Sequence, residues 1–139
     1  MTAAASIEIT GVDFVCIPTT DHDRACEFYG ELLGLPKVKQ WGTRPATEFQ
    51  AGNLTLVVFD QRGFGQDEAG RPNSAPIALA VEDVEAAREV LKAAGVRFVF
   101  DWIDSGVCHQ AMFLDPDSNP LMLHHRYAPK DVIPTRTGG

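Results

Sequence analysis

The chain contains the same phrase twice. Residues 14–21 read Phe-Val-Cys-Ile-Pro-Thr-Thr-Asp, and residues 76–83 read Pro-Ile-Ala-Leu-Ala-Val-Glu-Asp. Each is an apolar strand signal that ends in an Asp. A helical pattern follows each one, from about Asp23 to Leu33 with a stop at Gly34, and from about Val84 to Ala94 with a stop at Gly95. The Asp can accept from the free N–H groups of the first helical turn, and Gly suits a left-handed stop. Ala25, Phe28 or Tyr29, and Leu32 share one face of the first helix; Val84, Ala87, Val90 or Leu91, and Ala94 share one face of the second. A repeat on this scale constrains the fold more than composition does, because each copy must be one supersecondary unit whose helix covers one sheet.

Further strand signals follow each helix: Thr47 to Gln50 and Asn53 to Phe59 in the first half, then Arg97 to Asp101, Cys108 to Leu114 and Pro120 to His125 in the second. The turn clusters at residues 51–53 and 115–119 occupy corresponding places between strands. Short turns join most consecutive strands, which therefore pair antiparallel, so the class is α+β and not a doubly wound sheet. At 139 residues the chain fits one domain. Module one covers about 8–62, a polar, glycine-rich linker about 63–74, and module two about 75–126. The tail, 127–139, with Pro129 and Pro134, reads as disordered or peripheral.

A formal charge of −7 argues against a nucleic-acid partner, since no stripe of Lys and Arg is present. No apolar run reaches the roughly 18 residues that a membrane span requires. The start, MTAAASIEIT, has neither a basic region nor a long apolar one, and the expected location is cytoplasmic. Cys16, Cys26 and Cys108 are odd in number and widely spaced, which suits free thiols packed as small apolar groups.

The phrases GVDFVCIPTTDHDRACEFYGELLGL and PIALAVEDVEAAREVLKAAGV, with FLDPDSNPLML near the end, resemble the vicinal-oxygen-chelate superfamily over roughly residues 8 to 126. That superfamily includes glyoxalase I, extradiol dioxygenases and bleomycin-resistance proteins. The resemblance implies two βαβββ modules whose sheets curve around a cavity, often completed by a homodimer partner. In metal-dependent members four positions face a metal, one on the first and one on the last strand of each module. Carried onto this chain they fall on Phe14, Pro76, Leu56 and Met122, Leu56 being matched to Met122 by laying Gly52-Asn53 over Ser118-Asn119. None of these four offers a ligand suited to Zn or to a hard divalent cation, so no metal and no other cofactor is expected.

Alternation along strands groups Phe14 with Cys16, Cys108 with Gln110 and Met112, and Met122 with His124. If the resemblance marks the concave side, these residues line a mostly apolar pocket with Gln110 and His124 as polar anchors. Trp41 and Trp102, with Phe14, Phe49 and Phe64, either stack a planar ligand or fill the cores. His124 serves either as a general acid or base or as a hydrogen-bonding group at a strand end. Glu48 is a rim carboxylate or an exposed strand position. His109 falls on the opposite parity, His22 reads as an exposed residue at a helix start, and Gly63-Phe64-Gly65 is either a flap or a flexible linker. The leading expectation is a metal-independent protein that binds a small, partly apolar or aromatic molecule, such as a drug, antibiotic or metabolite. The alternatives are a lyase, isomerase or oxygenase that uses His124 with Gln110, an enzyme with metal ligands outside the family pattern, and a dimerisation module with a vestigial cavity.

Overall fold

The structure is a computed structural model that describes residues 6–130; from residue 131 onward the expectation for the tail lies outside the described residues. In chain order the elements are β1 (Val15–Pro18), α1 (His22–Cys26) continuing as a π-helical segment (Glu27–Leu32), β2 (Lys37–Gln40), β3 (Ala46–Ala51), β4 (Leu54–Phe59) and a 3₁₀ turn (Gln61–Phe64). There follow β5 (Ile77–Ala80), α2 (Val84–Ala93), β6 (Phe98–Asp104), β7 (Cys108–Leu114) and β8 (Pro120–Arg126). Two compact units divide between Pro72 and Asn73. Each holds one four-stranded mixed sheet, in the order β1-β4-β3-β2 in the first unit and β5-β8-β7-β6 in the second. The class is α+β, with one βαβββ module per unit.

The first strand of each module pairs parallel with the last, Val15 opposite Leu56 and Ile77 opposite Leu121, and every other pairing is antiparallel. A parallel pair needs a crossover, and in each unit the helix lies within it. Asp21 accepts from the N–H of Arg24 at 3.1 Å and Asp83 from that of Ala86 at 3.0 Å, so both helix starts are capped as the repeat predicts. The stops fall at Gly34 and Gly95, with φ of 71° and 82°. β2 had no sequence signal of its own, because Lys-Val-Lys-Gln is polar and exposed at a sheet edge.

In the first unit the helix covers Ile17, Phe49, Leu56 and Val58, all buried, with the Tyr29 and Phe49 rings 6.3 Å apart. In the second, Val84 and Leu91 of α2 are buried, as are Ala111, Phe113, Leu121 and Leu123 of the sheet. Among the described residues no helix is long and apolar enough to cross a membrane.

A polar chain runs through the helix–sheet seam of the first unit. The amide of Gln40 donates to the carbonyl of Arg44 at 2.6 Å, which fixes its orientation, so that Oε1 accepts the hydroxyl of the fully buried Thr47 at 2.6 Å. With that proton committed, Thr47 Oγ1 can only accept from His22 Nε2, 2.8 Å away. His22 therefore carries its proton on Nε2 and its lone pair on Nδ1. Cys26 Sγ lies 3.5 Å from the same nitrogen. His22 is thus not the exposed residue expected at a helix start: it is half-buried and oriented, and burial lowers its pKa below the ordinary 6.5.

The β7–β8 turn is organised by the buried Asp115. Its Oδ1 accepts from the N–H groups of Asp117 (2.9 Å) and Asn119 (2.8 Å), and its Oδ2 from the Asn119 amide (2.9 Å). Asn119 Oδ1 in turn accepts from the N–H of Asn73 at 2.8 Å.

Asp115→Ala should cost about 2–3 kcal/mol, because it leaves buried donors without their acceptor. The urea midpoint should fall with an unchanged m-value, and an unchanged midpoint would refute this role. For His22, a folded-state pKa below 6.5 means that the unfolded chain binds more protons. The contribution is complete above that pH and is lost as pH falls through the folded value. His22→Asn should reduce the loss of thermal stability between about pH 7.5 and about pH 5, and an identical slope would exclude the assignment.

Candidate functional site

Cross-strand partners share a sheet face. In the first unit Glu48, Val57 and Cys16 lie opposite one another across β3, β4 and β1, on the face turned away from the helix. Val15, Leu56 and Phe49 lie on the helix side. This corrects one placement: Leu56 is a fully buried core residue, and the repeat equivalent of Met122 is Val57. Phe49 is corrected in the same way, since it packs on Tyr29 and not with the other aromatics.

On the helix-free face the aromatic rings form a connected set. Phe14 meets Trp41 at 5.6 Å and 74°, Trp41 meets Phe64 at 6.1 Å and 85°, and Phe59 meets Phe64 at 6.3 Å and 72°. These edge-to-face contacts leave Phe14 43% exposed, so the set is a surface and not a closed core. The Trp41 indole N–H donates to Glu48 Oε2 at 2.7 Å, which fixes the indole plane and occupies the carboxylate considered as a rim base. The guanidinium of Arg44 stands 5.0 Å over the Phe64 ring. Cys16 is exposed on this face, and desolvation by its neighbours raises its thiol pKa.

Phe64 is held by an ordered 3₁₀ turn. The Asp60 carboxylate caps the turn by accepting from the N–H of Arg62 at 3.1 Å, and the backbone N–H of Asp60 donates to the carbonyl of Pro45 at 2.9 Å. Arg62 also reaches the carbonyl of Thr20 at 2.8 Å. A Cβ on Gly63 would stand 2.4 Å from the Pro45 ring, so the turn sits hard against the β2–β3 connection.

In the second unit the register brings Gln110 opposite His124 and Met112 opposite Met122, with Ala78 and Ala80 beside them on β5. Cys108, opposite Arg126, continues the same face. Gln110, Met112, Met122 and His124 are half-buried, and Cys108 is buried. The structure adds a neighbour that spacing alone did not show, for Arg126 Nη1 lies 3.9 Å from Cys108 Sγ.

Trp102 does not join this set. A register shift between Phe100 and Ile103 puts Ile103 opposite Gln110 and leaves Trp102 on the other side of the strand. There its ring is 5.0 Å from His109, which is 4.9 Å from Tyr127. Tyr127 donates to Asp104 at 2.8 Å, and the N–H of Gly106 and this hydroxyl hold the Asp104 carboxyl below its usual range. Trp102 is thus part of a separate aromatic cluster.

The four positions that the resemblance marks for a metal carry Phe14, Val57, Pro76 and Met122. Their side chains provide no carboxylate, imidazole or thiolate, so they do not fit a hard divalent cation or Zn. Among the described residues no group of three or more His, Cys, Asp or Glu is placed to hold a metal ion elsewhere.

Known structures share the fold. The chain is similar to TnmS3, an antibiotic binding protein from Streptomyces sp. CB03234, with a TM-score of 0.73 and 24% identity over 87% of this chain and 99% of that one. It is also similar to a superfamily member from Sphaerobacter thermophilus (TM-score 0.71, 22% identity, 84% of this chain and 97% of that one). A third similar structure is the lactoylglutathione lyase from Agrobacterium tumefaciens (TM-score 0.68, 16% identity, 84% of this chain and 93% of that one). At these identities the likeness carries the fold alone. A family model also matches residues 11–123, through both copies of the repeat, and on that basis the chain belongs to the Glyoxalase/Bleomycin resistance protein/Dioxygenase superfamily.

Proposed function

We propose that this chain is a small-molecule binder of the superfamily, which holds a planar, partly apolar ligand on the helix-free face of its first sheet without the help of a metal. The observation that carries the reading is the connected set of Phe14, Trp41 and Phe64, with the indole oriented by Glu48 and Phe64 fixed by its turn. A partly exposed aromatic surface whose rings are already oriented offers ring faces and edges to a planar molecule at a small entropic cost. Metal-free binding agrees with the side chains at the four chelate positions, and ligand binding agrees with the named role of TnmS3. On the second unit, Met112, Met122, Gln110 and His124 supply a softer face with two polar groups that can orient a ligand. The protein acts as a homodimer, a reading supported by the strongly exposed Ile7, Ile9 and Val12 ahead of β1.

A second reading, an enzyme working by side-chain acid–base chemistry, rests on His124 standing directly opposite Gln110. In it His124 takes a proton while Gln110 orients a carbonyl or hydroxyl.

A screen of planar aromatic compounds monitored by tryptophan fluorescence should find saturable binding without turnover. Trp41→Ala or Phe64→Ala should weaken that binding about tenfold, a cost in the range of lost aromatic contacts. Affinity unchanged in both variants would reject the aromatic face as the site. His124→Ala should leave binding within about threefold. Conversion of a bound compound that disappears in His124→Ala would establish the enzymatic reading instead.

A further inference from the structure

On the opposite side of the first sheet, a groove of about 880 Å³ separates the helix from β2 and the β2–β3 connection. This volume is within the range of small-molecule sites. The groove belongs wholly to the first unit, and at its β2–β3 end Arg44 and Pro45 also border the turn that carries Phe64. His22, Cys26 and Gly30, at i, i+4 and i+8, lie along it, with Phe49 and Gln40 from the sheet. A Cβ on Gly30 would come within 3.1 Å of the Phe49 ring, so the missing side chain at position 30 lets the helix sit close on the floor that Phe49 provides.

The two walls carry opposite charge. Asp23, Glu27 and Glu31 line the helix side, a stripe of about 12 Å at 1.5 Å per residue. Lys37 lines the strand side, and Arg44, whose guanidinium also stands over the Phe64 ring, lines the end at the β2–β3 connection. None of these five side chains is in an ion pair among the described residues, so the walls face each other without closing. Two further features set this wall apart from an ordinary helical surface. The helix changes to a π-helical segment over Glu27–Leu32, a rare geometry that occurs often at functional sites. The Gln40–Thr47 chain also fixes the tautomer of His22, which gives the groove an imidazole whose Nδ1 can accept but not donate.

We propose that this groove is a second ligand site, which takes a small zwitterion with an ammonium and a carboxylate on one short frame, such as an amino acid or a short peptide. The ammonium lies against the carboxylate stripe, where His22 can accept one of its protons, and the carboxylate lies against Lys37 or Arg44. A purely cationic ligand would leave the strand-side cations unanswered, and a purely anionic one would face the carboxylates. Neither would use both walls.

The test is an amide NMR titration of the full chain with glycine, diglycine and triglycine, whose charge separation grows by about 3.5 Å per residue. Ethylamine and acetate serve as single-charge controls. One of the three zwitterions should shift the amides of Gly30, Glu31 and Lys37 saturably, with a Kd of about 1 mM or tighter and at least about tenfold below either control. Glu31→Lys and Lys37→Glu, both at exposed positions, should each weaken it about fivefold, and Glu82→Lys in the other unit should leave it unchanged. The proposal is overturned by an absence of saturable shifts up to about 10 mM, by ethylamine or acetate binding as well as the tightest of the three zwitterions, or by both groove variants binding like the parent. Lys37 lies on the Phe49 side of the sheet and Glu31 on the helix, so the groove variants report on this site separately from Trp41→Ala and Phe64→Ala.

Discussion

Each unit is organised by the parallel pairing of its first strand with its last. That pairing cannot be made by a turn, so the chain must leave the sheet, cross it as a helix and return. The crossover buries one sheet face and leaves the other free of helix. The register then decides which side chains belong to which face: Ile17, Phe49, Leu56 and Val58 go under the helix, while Cys16, Glu48 and Val57 go to the other side. The two faces thus carry different side chains, although Ala46 and Val57 are fully buried on the helix-free one as well.

The parts of this plan that could be read from sequence are those written locally. The Asp caps and Gly stops of both helices lie within a few residues of the elements they bound, and the hairpin turns carry their own residue signature. β2 was not readable because an exposed edge strand needs no apolar alternation, and Lys-Val-Lys-Gln shows none. Helical periodicity also could not announce that α1 gives way to a π-helical segment after Cys26.

The misplacements within the candidate site have one cause. Side chains alternate with period two, so a slip of one residue moves a side chain to the other face. Overlaying Gly52-Asn53 on Ser118-Asn119 made such a slip, since the β3–β4 turn is only those two residues while the β7–β8 turn runs from Asp115 to Asn119. Leu56 took the place of Val57 as a result. The irregularity between Phe100 and Ile103 did the same to Trp102. Phe14, Trp41 and Phe64, by contrast, stand out in the sequence as aromatics, but their meeting depends on a turn whose residues read as either a flap or a linker. His22 was passed over because its partners, Thr47 and Gln40, are distant in sequence and unremarkable in type.

The close approach of Gly63 to the Pro45 ring has a bearing on how this surface could change. The methyl group of an alanine at position 63 would overlap Pro45 and displace the turn, whereas a change at the neighbouring position 64 alters only the ring that the turn presents. The turn therefore separates the ring it presents from the contact that places it. Under the reading proposed above, position 64 sets what a guest meets, while position 63 offers no such latitude: a single carbon atom there would move the turn.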